Sequence, residues 1–248
     1  MHSLFSQTLS WMDVQLSSLS NAVPSPTPHH EGGKVMQRYS EKTVEQAMVQ
    51  KLARTISGLR ASCILLNDGF LQEQAALCRM VNDFEDDITF LSIAALQSPR
   101  PQILNRYLDD FYSEETAAED FAEGKRVKGR TTVSRKDIAN FIAREQQDPT
   151  DEFQSSNAAL AVGYMMSGYI HAPSQHIMEM YDPQRKRFIT DSWPAHPFLR
   201  AHLDDIWSYF YRGIVTFGFA SHAIGRPDIF EQCMTQLAYF GQVSGRDC

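Results

Sequence analysis

From Ser40 onward, apolar residues recur every three to four positions, and glycine or proline interrupts the pattern at intervals. That spacing suits helices that bury one face and excludes a sheet-based fold, which would need alternation. Val44, Met48, Leu52, Leu59, Cys63 and Leu66 share one helical face, with Ser40 the expected cap ahead of Glu41 and Lys42. Asn67-Asp-Gly69 should end that helix. A second helix is expected over 70–97, with Leu77, Val81, Phe84, Ile88, Leu91 and Ala95 as its stripe. Joined by so short a turn, the two should pack as an antiparallel hairpin.

Ser98-Pro-Arg-Pro101 then breaks the chain, and a third helix is expected over 103–112. Ser134 with Asp137 reads as a capping box that opens a helix over 136–146. A helix over 155–172 should reach Pro173 and continue, kinked, to Tyr181. Helices over 199–223 and 228–242, separated by Gly225-Arg-Pro227, complete the chain. The one strand-like signal is a minor hairpin at Phe188–Thr190. No fixed-period repeat is present, so the expected fold is all-α, a multi-helix bundle of about seven helices rather than a solenoid.

Residues 3–20 suit a short amphipathic helix, with Leu4, Leu9, Trp11, Leu16 and Leu19 as its apolar members. Between Pro24 and Gly33 come three prolines and two glycines, a composition expected of a linker. The expected division is therefore 1–33, an N-terminal helix and Pro/Gly-rich linker, and 34–248, the helical bundle domain. Residues 1–33 are then expected to be dispensable for folding. Residues 114–130, five acids followed by four bases bounded by glycines, are expected to form a solvated loop.

The formal net charge of −7 argues against an electrostatic grip on DNA or on an anionic membrane. The most apolar window, 206–224, carries Arg212 in its middle and reads as a buried core helix rather than a bilayer span. Cys63, Cys78, Cys233 and Cys248 show no CxxC spacing. No structural zinc and no disulfide is expected, and free thiols suit a cytoplasmic protein. No secretory signal is expected at the N-terminus. No cofactor is expected.

Two segments carry candidate chemistry. In Arg79-Met-Val-Asn-Asp-Phe-Glu-Asp-Asp87, four carboxylates fall within five residues. With Leu77 at zero and about 100° per residue, Arg79, Asp83 and Asp86 fall opposite the stripe, a solvated face with an i,i+4 pair. Asn82 and Glu85 border the core. In Tyr164-Met-Met-Ser-Gly-Tyr-Ile-His-Ala-Pro-Ser174, Tyr164, Ser167 and His171 share one stripe, while Met166 and Ile170 form a second. A helix apolar on two faces is buried, so His171 is expected in a polar seam, either as a hydrogen-bonded core histidine or as a general base or phosphate ligand. His176 points elsewhere. Asp109-Asp-Phe-Tyr-Ser-Glu114 lacks a second metal motif, and the segment after Ser134 lacks the basic recognition helix of a helix-turn-helix.

Ala-Leu-Cys-Arg-Met-Val-Asn-Asp-Phe-Glu (76–85) and Ser-Gly-Tyr-Ile-His-Ala (167–172) together resemble a family of uncharacterised bacterial helical proteins. That family is itself similar to the HEPN superfamily of nucleotide- or RNA-binding bundles. The resemblance covers residues 40–182 and implies a HEPN-like core in which the arginine-bearing and histidine-bearing helices face each other across a polar centre. Active HEPN ribonucleases carry an arginine followed four to six residues later by a histidine on one helix, and no arginine here precedes a histidine by that spacing. The resemblance therefore implies binding of a nucleotide, RNA or a protein partner rather than RNA cleavage. Arg79, Glu85 and His171 are the candidate catalytic set, and Asn82, Tyr164 and Ser167 the candidate binding set. A metal-dependent helical hydrolase built on the acids around Glu85, and a non-catalytic interaction module, are the alternatives. A homodimer is a further expectation left open, and a membrane partner is not expected.

Overall fold

Thr43 starts the first helix of the bundle. Its hydroxyl accepts from the Gln46 N–H at 3.2 Å, and the Gln46 side chain accepts from the Thr43 N–H at 3.0 Å. This reciprocal capping box satisfies two donors that a helix start leaves orphaned. The cap is thus Thr43, not Ser40, because only Thr43 has Gln at the third helical position. In this computed structural model, which describes residues 2–31, 33–113, 132–145 and 166–246, α2 runs Val44–Asp68. Gly69 closes it at φ 77, with its N–H returned to Leu66. A side chain there would be strained and would meet the backbone of Trp193.

α3 (Leu71–Leu96) turns back immediately against α2, as the short Asn-Asp-Gly connection requires. α7 (Leu199–Ala223) lies across both, so these three helices make the centre of the molecule. Met48, Leu52, Leu59, Ile88, Phe210 and Phe217 are among the buried side chains between them. α5 (Arg135–Glu145) packs on α3, α4 (Gln102–Phe111) packs on both α2 and α3, and Phe90 meets Tyr107 and Phe141 there. The Ser134–Asp137 box that opens α5 forms in both directions, at 3.1 and 3.3 Å. α8 (Pro227–Ser244) begins with proline in its first turn, follows Gly225, and packs along α7.

α1 (His2–Ser20) is packed into the bundle rather than set apart from it. Leu4, Phe5, Leu9, Met12 and Leu19 are buried, and Phe5 stacks on Phe210 at 4.5 Å. Trp11 packs edge-on against Phe217. The expectation that this segment is dispensable does not fit that packing. Nor is the proline-rich stretch after it a featureless linker. β1 (Thr27–Glu31) and β2 (Lys34–Arg38) pair antiparallel, from Thr27 opposite Arg38 to Glu31 opposite Lys34. Pro28 is tolerated because both strands of a two-stranded ribbon are edges, with one side free of ladder bonds.

Residues 114–131 and 146–165 lie outside the described residues, so the charged loop and most of the helix expected over 155–172 are not described. The end of that helix is, at residues 166–171. It does not continue kinked to Tyr181: Ala172 takes φ 48, and a short separate helix, α6 (Ser174–Met178), follows Pro173. β3 (Tyr181–Asp182) and β4 (Arg187–Phe188) then form the small hairpin close to where Phe188 suggested one. The Asp182 carboxylate accepts from the Gln184 and Arg185 N–H groups and so fixes its turn. Among the described residues, no helix is long and apolar enough to cross a membrane.

Candidate functional site

Helix α3 places Gln74, Cys78, Val81, Asn82, Glu85, Ile88 and Ser92 in the seam against α2 and α7. Glu85 is at its centre and has no exposed surface. From α7, Arg212 reaches it: Nε stands 3.4 Å from Glu85 Oε2, Nη2 donates to Asp86 at 2.8 Å, and Nη1 donates to Asn82. One guanidinium thus gathers three α3 side chains. No hydrogen-bond donor among the described residues reaches either Glu85 oxygen in good geometry. Burial pushes the Glu85 carboxyl up to about 8, Arg212 pulls it part of the way back, and Asp86 opposes that pull. Burial likewise raises Asp86, against Arg212 and Arg135.

The expected solvated face of α3 is only partly solvated. The Arg79 side chain is only 14% exposed; it pairs with Asp83, and its Nε donates to Ser167 Oγ at 3.3 Å. Arg135 of α5 donates to the Asp83 carbonyl and pairs with Asp87, which Lys51 also holds at 2.8 Å. The acids of this stretch are therefore tied one by one to basic side chains from four elements. Among the described residues, no cluster of His, Cys, Asp or Glu is arranged to hold a metal ion.

Of the sequence-derived set, Arg79 and Ser167 meet directly, and Asn82 and Glu85 are joined through Arg212. His171 is not in the seam. It is exposed, because the chain leaves the helix at Ala172 before the second apolar stripe can be buried. Ile170, expected inside, is exposed as well. Tyr164 lies outside the described residues. The histidine that faces inward here is His176, the one the helical wheel turned away. Its ring packs on Tyr169 at 4.4 Å and faces Glu179. Gly168 makes room for it: a Cβ there would stand 2.1 Å from His176 Nε2.

Three charged or imidazole-bearing residues of α7 were missed, beside the cleft residues Tyr169, Ser208 and Tyr209. Arg212 did leave a signal, a single charge in a long apolar window, which in a buried helix demands a counter-ion on a neighbour. Asp205 and His202 are the others, both on α7. His202 is 4% exposed, and its Nδ1 is 2.8 Å from Gln74 Oε1. Burial, with a smaller contribution from His196, depresses its imidazole to about 4, so it is neutral at pH 7. Gln74 in turn donates to Cys78 Sγ at 2.9 Å. His202 stands on the same α7 face as the buried Ile206 and Phe210, a spacing legible in the sequence.

Between the 166–176 segment and α7 lies a cleft of about 740 Å³. Among the described residues its walls include the rings of Tyr169, His176 and Tyr209, and its polar lining includes Asp205, Ser208 and Arg212. Arg212 therefore has two roles: it neutralises the buried α3 acids on one side and borders the cleft on the other. No known protein family matches the chain, and neither curated proteins nor solved structures give a match.

Proposed function

We propose that this chain is a HEPN-like helical binding protein whose cleft takes a nucleoside, free or as part of a nucleotide, without cleaving RNA. The carrying observation is the cleft itself: two phenol rings and an imidazole beside a carboxylate, a hydroxyl and a guanidinium, in about 740 Å³. Such a volume suits a drug-sized ligand. The aromatic walls suit a flat heterocycle, and Asp205, Ser208 and Arg212 offer acceptors and donors to its edge and sugar.

The charge pattern favours a nucleoside over an RNA chain. The net charge is −7, and Arg212, the cation of the cleft, is already paired with Asp86 at 2.8 Å. A polyanion gains little there. The resemblance to HEPN bundles supports the same class of ligand, and the missing arginine-histidine spacing supports binding over cleavage. Three free cysteines, Cys63, Cys78 and Cys233, support a reducing bacterial cytoplasm as its place of action. The metal-dependent alternative is disfavoured because each acid from Asp83 to Asp87 already has a basic partner.

Isothermal titration with adenosine, guanosine, cytidine and uridine tests this reading. At least one should bind, and Ser208→Trp, which fills the cleft from an exposed position, should weaken it by about tenfold or more. Absence of binding by all four nucleosides, or binding untouched by Ser208→Trp, rejects the proposal.

A further inference from the structure

A second cavity, of about 800 Å³, opens where the β1–β2 hairpin faces the start of α2 and the end of α4. Its chemistry differs from that of the α7 cleft. Arg38, Lys42 and His29 line it, Thr27, Ser40 and Ser113 add hydroxyls, and Tyr39, Phe111 and Tyr112 supply aromatic surface. No aspartate or glutamate is among its described lining residues. In a chain of net charge −7, the described lining of this groove carries two cations and no acid. Asp109 lines only a smaller adjoining recess, which also shares Lys42.

Two observations show that the lining is held in place. Tyr112 donates its hydroxyl to the Thr43 carbonyl at 2.8 Å, and its ring packs edge-on against Phe111 at 4.9 Å. Thr27 and Ser40, at opposite ends of the hairpin, approach to 3.1 Å through their hydroxyls and close its base. Lys42 itself holds φ 56, a left-handed conformation that is strained for a residue with a Cβ. Glycine would relieve that strain, yet the position carries an ammonium.

We propose that this groove is a binding site for a small phosphate monoester bearing a planar ring. The phosphate lies against Arg38 and Lys42, and the ring lies against Tyr39 and Tyr112. Guanidinium, ammonium and hydroxyl groups supply donors for phosphate oxygens, and phenol faces supply a platform for the ring. The site is separate from the α7 cleft and does not depend on the nucleoside reading.

The probes are phenyl phosphate, inorganic phosphate and phenol, titrated calorimetrically into the full chain at low and at physiological salt. Phenyl phosphate should bind more tightly than inorganic phosphate, phenol should not bind measurably, and affinity should fall with salt. Lys42→Gly accepts the left-handed backbone and removes the ammonium with its side chain, so it should weaken phenyl phosphate by about tenfold while melting no lower than wild type. Arg38→Gln should act in the same direction. Phenol binding as tightly as phenyl phosphate, or unchanged affinity in Lys42→Gly, overturns the assignment. So does failure of phenyl phosphate to bind to a wild-type chain that melts cooperatively.

Discussion

Glu85 is a carboxyl group with no exposed surface, held by the side chain of one arginine at 3.4 Å. Its folded value is raised from 4.5 to about 8 by burial, with Arg212 opposing. The folded state therefore binds a proton that the unfolded state releases across that window, and stability falls as pH rises from 4.5 towards 8. Each unit of such a shift is worth about 1.4 kcal/mol, so the loss amounts to about 5 kcal/mol. Glu85→Gln imitates the protonated group. It should match wild type in urea melts near pH 5 and exceed it at about pH 9. Equal pH profiles for the two proteins would show that Glu85 stays ionised in the fold.

His202 works in the opposite sense. Its folded value, about 4, lies below the ordinary 6.5, so the fold holds the neutral ring. The stability present above 6.5 is then lost progressively as pH falls towards 4, by about 3–4 kcal/mol. His202→Gln keeps a donor for Gln74 and should flatten this acid limb in denaturation series between those values. An acid limb as steep in the variant as in wild type would mean that His202 is protonated within the fold.

At the scale of the element, the bounds of α2 rest on two residues whose roles are separable. Thr43→Ala removes one acceptor of the capping box and should cost about 0.5–2 kcal/mol. Gly69→Ala forces a Cβ into a left-handed position against the Trp193 backbone, with 2.2 Å to its nearest atoms. It should cost more than the loss of the cap, and thermal melts of both variants give the order. The Gly69 end was legible because turn chemistry is local, whereas the start was expected three residues early, at Ser40. The face of α3 was not legible. Leu77 and Phe84 drew the expected stripe towards themselves, yet both are only half-buried, and Phe84 lies under Lys51 and Arg54 as a cation–π platform. The seam that packs on α2 and α7 is centred about 70° round the helix, on Cys78 and Glu85. A wheel built on hydrophobicity alone cannot place a charged residue at its own centre. Glu85 is tolerated there only because Arg212 arrives from a helix more than a hundred residues away. The exposure of His171 was hidden for a similar reason, since it depends on Ala172 ending the helix.

For the whole molecule, the composition-based division at residue 33 meets a fold in which α1 is part of the core. Leu4, Phe5, Leu9, Met12 and Leu19 are buried against α2, α7 and α8. Polar contacts fix the same docking: Gln15 donates to Gln232 at 2.9 Å, Arg226 to the Ser18 carbonyl at 3.1 Å, and Arg60 pairs with Asp13. Burying side chains of this size contributes about 1.5–3 kcal/mol each, while a domain is stable by only about 5–15 kcal/mol. Five of them therefore weigh as much as the net stability itself. Removal of residues 1–33 should expose Phe210 and Phe240, which Phe5 contacts at 4.5 and 6.4 Å. The shortened chain should lose its cooperative thermal transition or associate through that surface, read by circular dichroism and light scattering. Phe5→Ala is the milder version, expected to cost about 3–5 kcal/mol while leaving a folded protein whose melting point can be measured. If the shortened chain stayed monomeric and melted as sharply as the full one, α1 would be an accessory, and the three-helix centre of α2, α3 and α7 would suffice to hold the bundle.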